Sequence, residues 1–179
     1  MNTITIDQSR LARITTLKPG HHSLGSEEMC FMEAVAYVAD DNWSEYPGCS
    51  CPVIGEFIAV WNNTLPSDED RTRLLVPLIP KIICTRSTKS VERRRAMMAA
   101  DWLVRTHTGA WLRLAKLNNH ADVLASLPDF TDFKNCSSWM LRGLLHGAAA
   151  WAAVQPAVAD LQQSSIALVE RMIAVESSA

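Results

Sequence analysis

At 179 residues the chain is long enough for one domain that buries roughly 70% of its unfolded surface, so neither a metal nor a disulfide is required to hold it together. Its content is 48% hydrophobic and 20% charged, which is globular and not disordered, and six tryptophans supply large core pieces. A net charge of −2 excludes the overall positive field of a nucleic-acid binder and leaves room only for a local basic patch.

The first residues, MNTITIDQSRLARITTLKPG, contain no apolar stretch of the kind a secretory signal needs, and the chain is expected in the cytosol. In that reducing compartment Cys30, Cys49, Cys51, Cys84 and Cys136 are expected to be thiols. The longest weakly polar run starts at Leu144 but is interrupted by His146, Gln155, Pro156 and Asp160, short of the roughly 18 apolar residues of a membrane span.

Strand-like alternation appears only in TITI at the start, so the expected class is all-α: a compact bundle of about seven to eight short and medium helices in one domain. Residues 1–25 read as an N-terminal arm with a short helix, 26–128 as central helices, and 137–175 as a C-terminal helical pair. Asp7 or Ser9 can cap a first helix over QSRLARITTLK, which Pro19-Gly20 ends. Ser26 suits the N-cap of the next helix, with Glu27 and Glu28 in its first turn, and MCFMEAVAYVA continues it to about Ala39. That helix is apolar on nearly every side and should lie centrally.

WSEYPGCSCP is a turn-rich connection, and Pro52 fits the first turn of PVIGEFIAVWNN. Ser67 followed by Asp70 resembles a capping box, and the helix it opens is broken by Pro77 and Pro80. Ser87 to Ser90 opens VERRRAMMAADWLVRTH, which Gly109 is expected to interrupt before AWLRLAKL. A short helix, HADVLASL, follows. In the last helix Leu161, Ile166, Leu168, Val169, Met172 and Ile173 form a core stripe.

The segments CFMEAVAYVADDNWSEYPGCSCPVIGEFIAVWNN and LPSDEDRTRLLVPLIPKIICTRSTKSVERRRAMMAADWLVRTHTGAWLRLA carry a resemblance. Together they are similar to a family of uncharacterised helical proteins of bacterial and phage genomes. Its pattern is a Cys-x-Met-Glu-Ala-Val-Ala helix, a Trp-Ser turn with Pro and Cys, and an Ile-Pro pair before Thr-Arg. The likeness covers roughly residues 20 to 115, with a weaker echo in LVERMIAV. It implies a shared all-α fold and raises the prospect of a mobile-element origin; it implies no activity.

The densest chemistry lies in GHHSLGSEEMCFMEAVAYVADDNWSEYPGCSCP. His21, His22, Cys30, Cys49 and Cys51 are candidate zinc ligands, although adjacent histidines and a one-residue gap between cysteines do not make the usual chelating loop; no cofactor is expected, with zinc the one to test. Cys51, before a helix N-terminus, is a candidate thiolate nucleophile, with His21 or His22 as base. Glu33, the lone charge in its helix, is a candidate general base of raised pKa, or else the partner of an arginine such as Arg86, Arg94 or Arg105. Lys89, Arg93, Arg94 and Arg95 are candidate phosphate contacts.

No phosphate-cradling glycine loop, His-Glu-x-x-His or Gly-x-Ser-x-Gly occurs, which removes the common NTPase, zinc-peptidase and hydrolase readings. The leading expectation is a cytosolic, non-catalytic helical protein that binds another macromolecule, chiefly protein, with no membrane partner. A metal- or thiol-dependent enzyme and a nucleic-acid binder are the alternatives. A pocket gathering Glu33, a histidine and a cysteine within hydrogen-bond reach would overturn the first.

Overall fold

The structure is a computed structural model that describes residues 6–114, 116–128 and 159–175. Among these every regular element is a helix and none is a strand. Cys136 and the first part of the helical pair expected over 137–175 lie outside the described residues.

Helix α1 (Gln8–Leu11) is a single turn, capped by the Asp7 carboxylate on the Ser9 and Arg10 N–H groups. It is much shorter than the apolar spacing suggested. The chain leaves it extended because Ile14 and Leu17 sink into the core one at a time while Leu17 N–H is taken by Thr72 Oγ1 at 2.9 Å. This arm is stitched to its neighbours throughout: Lys18 N–H to Met29 O, Gly20 N–H to Asn63 Oδ1, and Asn62 Nδ2 to Lys18 O.

Helix α2 (Phe31–Ala39) is central as expected, with Phe31, Met32, Ala34, Val35 and Val38 buried. Ser26 does not cap it. Cys30 stands at the N-cap, and residues 21–30 are spent on an irregular loop; Ser26 Oγ accepts from the Glu28 N–H instead. Helix α2 ends at Asp40, whose φ of 55° turns the chain left-handed, and Arg10 bonds both the Tyr37 carbonyl and the Asp40 carboxylate there.

Helix α3 (Pro52–Thr64) starts on the proline and packs Ile54, Phe57, Ile58 and Trp61 inward. Gly55 lets α2 come close, since a Cβ there would stand 2.9 Å from the Met32 methyl. Helix α4 (Asp68–Leu75) opens on Ser67, whose Oγ accepts from the Asp70 N–H. Pro77 and Pro80 break the continuation into a 3-10 turn, Val76–Leu78, and the short α5 (Ile79–Ile82), because each removes a backbone donor.

Helix α6 (Lys89–Asp101) is capped by Thr88 and runs into a wide π turn, Trp102–Thr108, then α7 (Gly109–Leu114). Gly109 therefore does not interrupt the rod. The discontinuity comes earlier, where Thr108 Oγ1 donates to the Leu103 carbonyl and the widened turn brings the Trp102 and His107 rings together, tilted by 45° with 5.3 Å between centroids. Helix α8 (Asn118–Ala125) folds back on α7, and α9 (Ala159–Ala174) lays Leu161, Leu168, Val169 and Met172 against the core.

Two arginines are buried in this frame, and both finish a helix. Arg71, 2% exposed, donates to the carbonyls of Asn62 and Leu65 at the end of α3 and pairs with Asp68. Arg95 donates Nε to Met172 O at 2.6 Å and Nη1 to Thr85 O at 2.6 Å, and Nη2 lies 3.3 Å from Val175 O. Helix C-termini leave carbonyls unpaired, and a guanidinium fork satisfies several at once. Arg95→Met should lower the unfolding free energy by about 3 kcal/mol in urea titration, with Arg95→Lys recovering only part, because an ammonium cannot serve both α9 and the Thr85 turn.

Candidate functional site

Glu33 occupies the third position of α2, so its side chain can curl back over the helix N-terminus, where unpaired N–H groups and the helix dipole favour a carboxylate. It is fully buried. Oε2 accepts from the Cys30 N–H at 2.8 Å and from His22 Nδ1 at 3.0 Å. Oε1 accepts from the His22 N–H at 2.7 Å, and His21 Nδ1 stands 2.9 Å from it, at ion-pair distance. Three hydrogen bonds and a neighbouring imidazole thus meet most of the acceptor capacity of an ionised carboxylate.

The expected arginine partners are therefore replaced by histidines. Arg86 lies beside Glu92 and Arg105 pairs with Asp101, both away from α2. The expectation of a raised Glu33 pKa is also reversed in direction. Burial pushes the carboxyl up, but the Cys30 and His22 N–H groups, the His22 ring and the Cys30 thiol together hold it below its ordinary value.

The same contacts fix the His22 tautomer. A carboxylate only accepts, so His22 Nδ1 carries the proton and, in the neutral ring, its Nε2 is left as an acceptor. His22 is nearly enclosed, with its carbonyl taking the Trp43 indole N–H at 2.8 Å, and its Nε2 stands 3.9 Å from Glu28. His21 is the open member: its side chain is 61% exposed and its Nδ1 is 3.8 Å from Glu45.

The cysteines divide. Cys30 belongs to this cluster, but burial and the adjoining Glu33 charge push its thiol up to about 12. Cys49 lies elsewhere: its N–H donates to Asp41 Oδ2 at 3.0 Å, and burial with that carboxylate raises its thiol to about 11. Cys51 is fully buried at the N-cap of α3, its N–H bonded to Thr85 Oγ1 at 3.0 Å. Among the described residues no three His, Cys, Asp or Glu side chains are arranged to hold a metal ion.

A glutamate, two histidines and a cysteine thus do come within hydrogen-bond reach, the juxtaposition that would count against a non-catalytic reading. Access separates this cluster from a pocket. Glu33 and Cys30 are closed to solvent, the carboxylate is held by three hydrogen bonds and the thiol is held protonated, so His21 is the member that faces outward with freedom to act.

The basic run does not form one face. Lys89 and Arg93 are exposed and Arg94 is half-buried, but Arg95 is turned into the fold to cap α9, so it cannot contact phosphates. Sequence reasoning missed Trp43, Glu28, Glu45 and Asp41 as neighbours of this chemistry; only their position within the same acidic stretch hinted at it.

No family model, curated protein or solved structure matches the chain.

Glu33→Gln should lower unfolding stability at neutral pH by about 3 kcal/mol, since it loses charge and presents an NH2 to groups that are already donors. The pH dependence has a definite sign. A folded pKa held below the 4.5 of an ordinary glutamate contributes stability above that pH and loses it as the pH falls through the folded value. The gap in stability between the wild type and Glu33→Gln should therefore close on acidification below about 4.5, read by paired denaturant titrations.

Proposed function

We propose that the chain is a non-catalytic helical protein that acts by binding another protein, through the face built from residues 20 to 46. The observation that carries this is the exposure of two large apolar side chains on segments held by the Glu33 cluster. Leu24 is 77% and Tyr46 65% exposed; Leu24 follows His22 by two residues, and Tyr46 follows the Glu45 that approaches His21. Exposed aromatic and aliphatic anchors on a rigid support suit a recognition surface, because little entropy is lost when they are covered.

Charge describes the partner further. Of the six carboxylates in residues 21 to 46, which hold no lysine or arginine, Glu33 is buried and Asp40 is paired with Arg10; Glu27, Glu28, Asp41 and Glu45 are at least partly exposed, so a partner with positive charge beside an apolar anchor fits this face. The described cysteines are all free, which supports a cytosolic setting, and no helix among the described residues is long and apolar enough to cross a membrane.

A second reading is favoured by one distance. His21 Nδ1 lies 2.9 Å from a buried carboxylate while the ring faces solvent, the arrangement of an oriented general base that awaits a substrate. An activity lost in both His21→Asn and Glu33→Gln, with the fold retained in the first, would put this reading ahead.

The binding reading is tested by comparing partners captured on immobilised wild type and on a Leu24→Ser, Tyr46→Ser variant of unchanged helical signal. Capture should weaken by about tenfold or more in the variant and stay unchanged in a Leu114→Ser, Val123→Ser control on α7 and α8. Equal capture by wild type and the Leu24, Tyr46 variant would overturn it.

A further inference from the structure

Residues 14–22 form no helix or strand, yet they lie along the molecule as a docked peptide would. Ile14 and Leu17 are buried, while Thr15, Thr16 and Pro19 face outward. Side chains of α2, α3 and α4 hold the backbone of this stretch. Leu17 N–H donates to Thr72 Oγ1 at 2.9 Å, Gly20 N–H to Asn63 Oδ1 at 2.9 Å and His22 N–H to Glu33 Oε1 at 2.7 Å, while Asn62 Nδ2 donates to the Lys18 carbonyl at 3.0 Å. Asp68 takes the Lys18 ammonium at 2.7 Å.

Side chains that read a backbone, beside one apolar socket and one acidic socket, are the parts of a peptide-recognition groove. Its preference is legible from its occupant: an aliphatic residue where Leu17 sits, then a cation for Asp68, in an extended chain. Two features mark the arm as a replaceable occupant. Gly20 and Gly25 stand at φ of 84° and 89°, and nothing lies within 4 Å of a Cβ built on either, so the stretch joins α2 through open turns. Asn62, 1% exposed, keeps an Oδ1 with no hydrogen-bond partner among the described residues, so the arm leaves a buried acceptor of the groove unserved.

We propose that this groove is a second recognition site, for an extended segment of a partner protein in which an aliphatic residue directly precedes lysine or arginine, and that residues 14–22 fill it in cis until such a segment displaces them. The groove is distinct from the Leu24 and Tyr46 face, and its use does not depend on that face.

Tethering decides which occupant wins. An arm attached to its own groove acts at an effective concentration of about millimolar, so the wild type takes up a separate segment only when that segment fits better or the arm is loosened. Asn62 Oδ1 offers the margin, since a segment that brings a donor to it satisfies an acceptor that the arm does not.

The test uses the full chain with its arm loosened in two ways that leave the groove side chains unchanged. Lys18→Glu places a carboxylate against Asp68, and Gly20→Pro removes the N–H that Asn63 holds and forbids the positive φ. The probe is a fluorescently labelled peptide of residues 14–22, ITTLKPGHH, read by anisotropy once an unchanged helical signal and fast amide exchange at Leu17 show a folded chain with a released arm. Both variants should bind the probe saturably and about tenfold or more tighter than wild type does, with amide shifts moving at Asn62, Asn63 and Thr72. A probe carrying Leu17→Ser should bind about tenfold more weakly. An arm that neither change releases, a released arm without saturable binding, equal binding of the two probes, or equal binding by wild type and both variants would overturn the proposal.

Discussion

The structure depends on a carboxylate buried where, among the described residues, no cation of permanent charge accompanies it. Burying an ionised group is expensive unless its hydrogen bonds are supplied from within, and Glu33 takes two N–H groups and the His22 imidazole, with the His21 ring at ion-pair distance. Two of these three hydrogen bonds come from His22, so the cost of burying the charge is offset only when the N-terminal arm is in place. One residue thereby makes the start of α2, the loop ahead of it and the arm a single unit.

The remaining architecture repeats the device with opposite sign. Arg71 closes the end of α3 and Arg95 closes the end of α9, each by donating to carbonyls that the helices leave over. Buried charge is placed at helix ends, where the peptide dipole is complementary to it, and the interior between is apolar: Phe31, Ile54, Ile58, Trp61, Leu75, Ile79, Ile82 and Leu168 meet without a polar partner among them. Such an arrangement specifies which segments pack together more sharply than apolar contacts alone, since a mispaired helix end would leave a charge unsatisfied.

Much of the fold was legible in the sequence, because helix punctuation is local. Pro52 at the start of α3, Ser67 and Asp70 at α4, and the breaks at Pro77 and Pro80 act through backbone donors within a few residues. The failures were also physical. Ser26 is a good cap, yet Glu33 binds the backbone further along and moves the helix start to Phe31. Gly109 costs a helix little when its neighbours are packed, and the real irregularity comes from Thr108 and the Trp102 and His107 stack. Of the site, the residue types were visible but not their pairing: that His21 and His22 would face Glu33, and that Arg95 would turn inward, are long-range facts that spacing does not encode.

The central claim is that Glu33 fastens the arm, and it is tested most directly by amide hydrogen exchange at His22. This N–H sits in an irregular segment near the surface, where an unbonded amide would exchange at the rate of an unstructured peptide. The account predicts protection of His22 comparable to that of the Cys30 amide and the first turn of α2, since all of them open only when the carboxylate is released. Exchange of His22 at the unprotected rate while α2 stays protected would show that the arm is not held by Glu33, and would contradict the account.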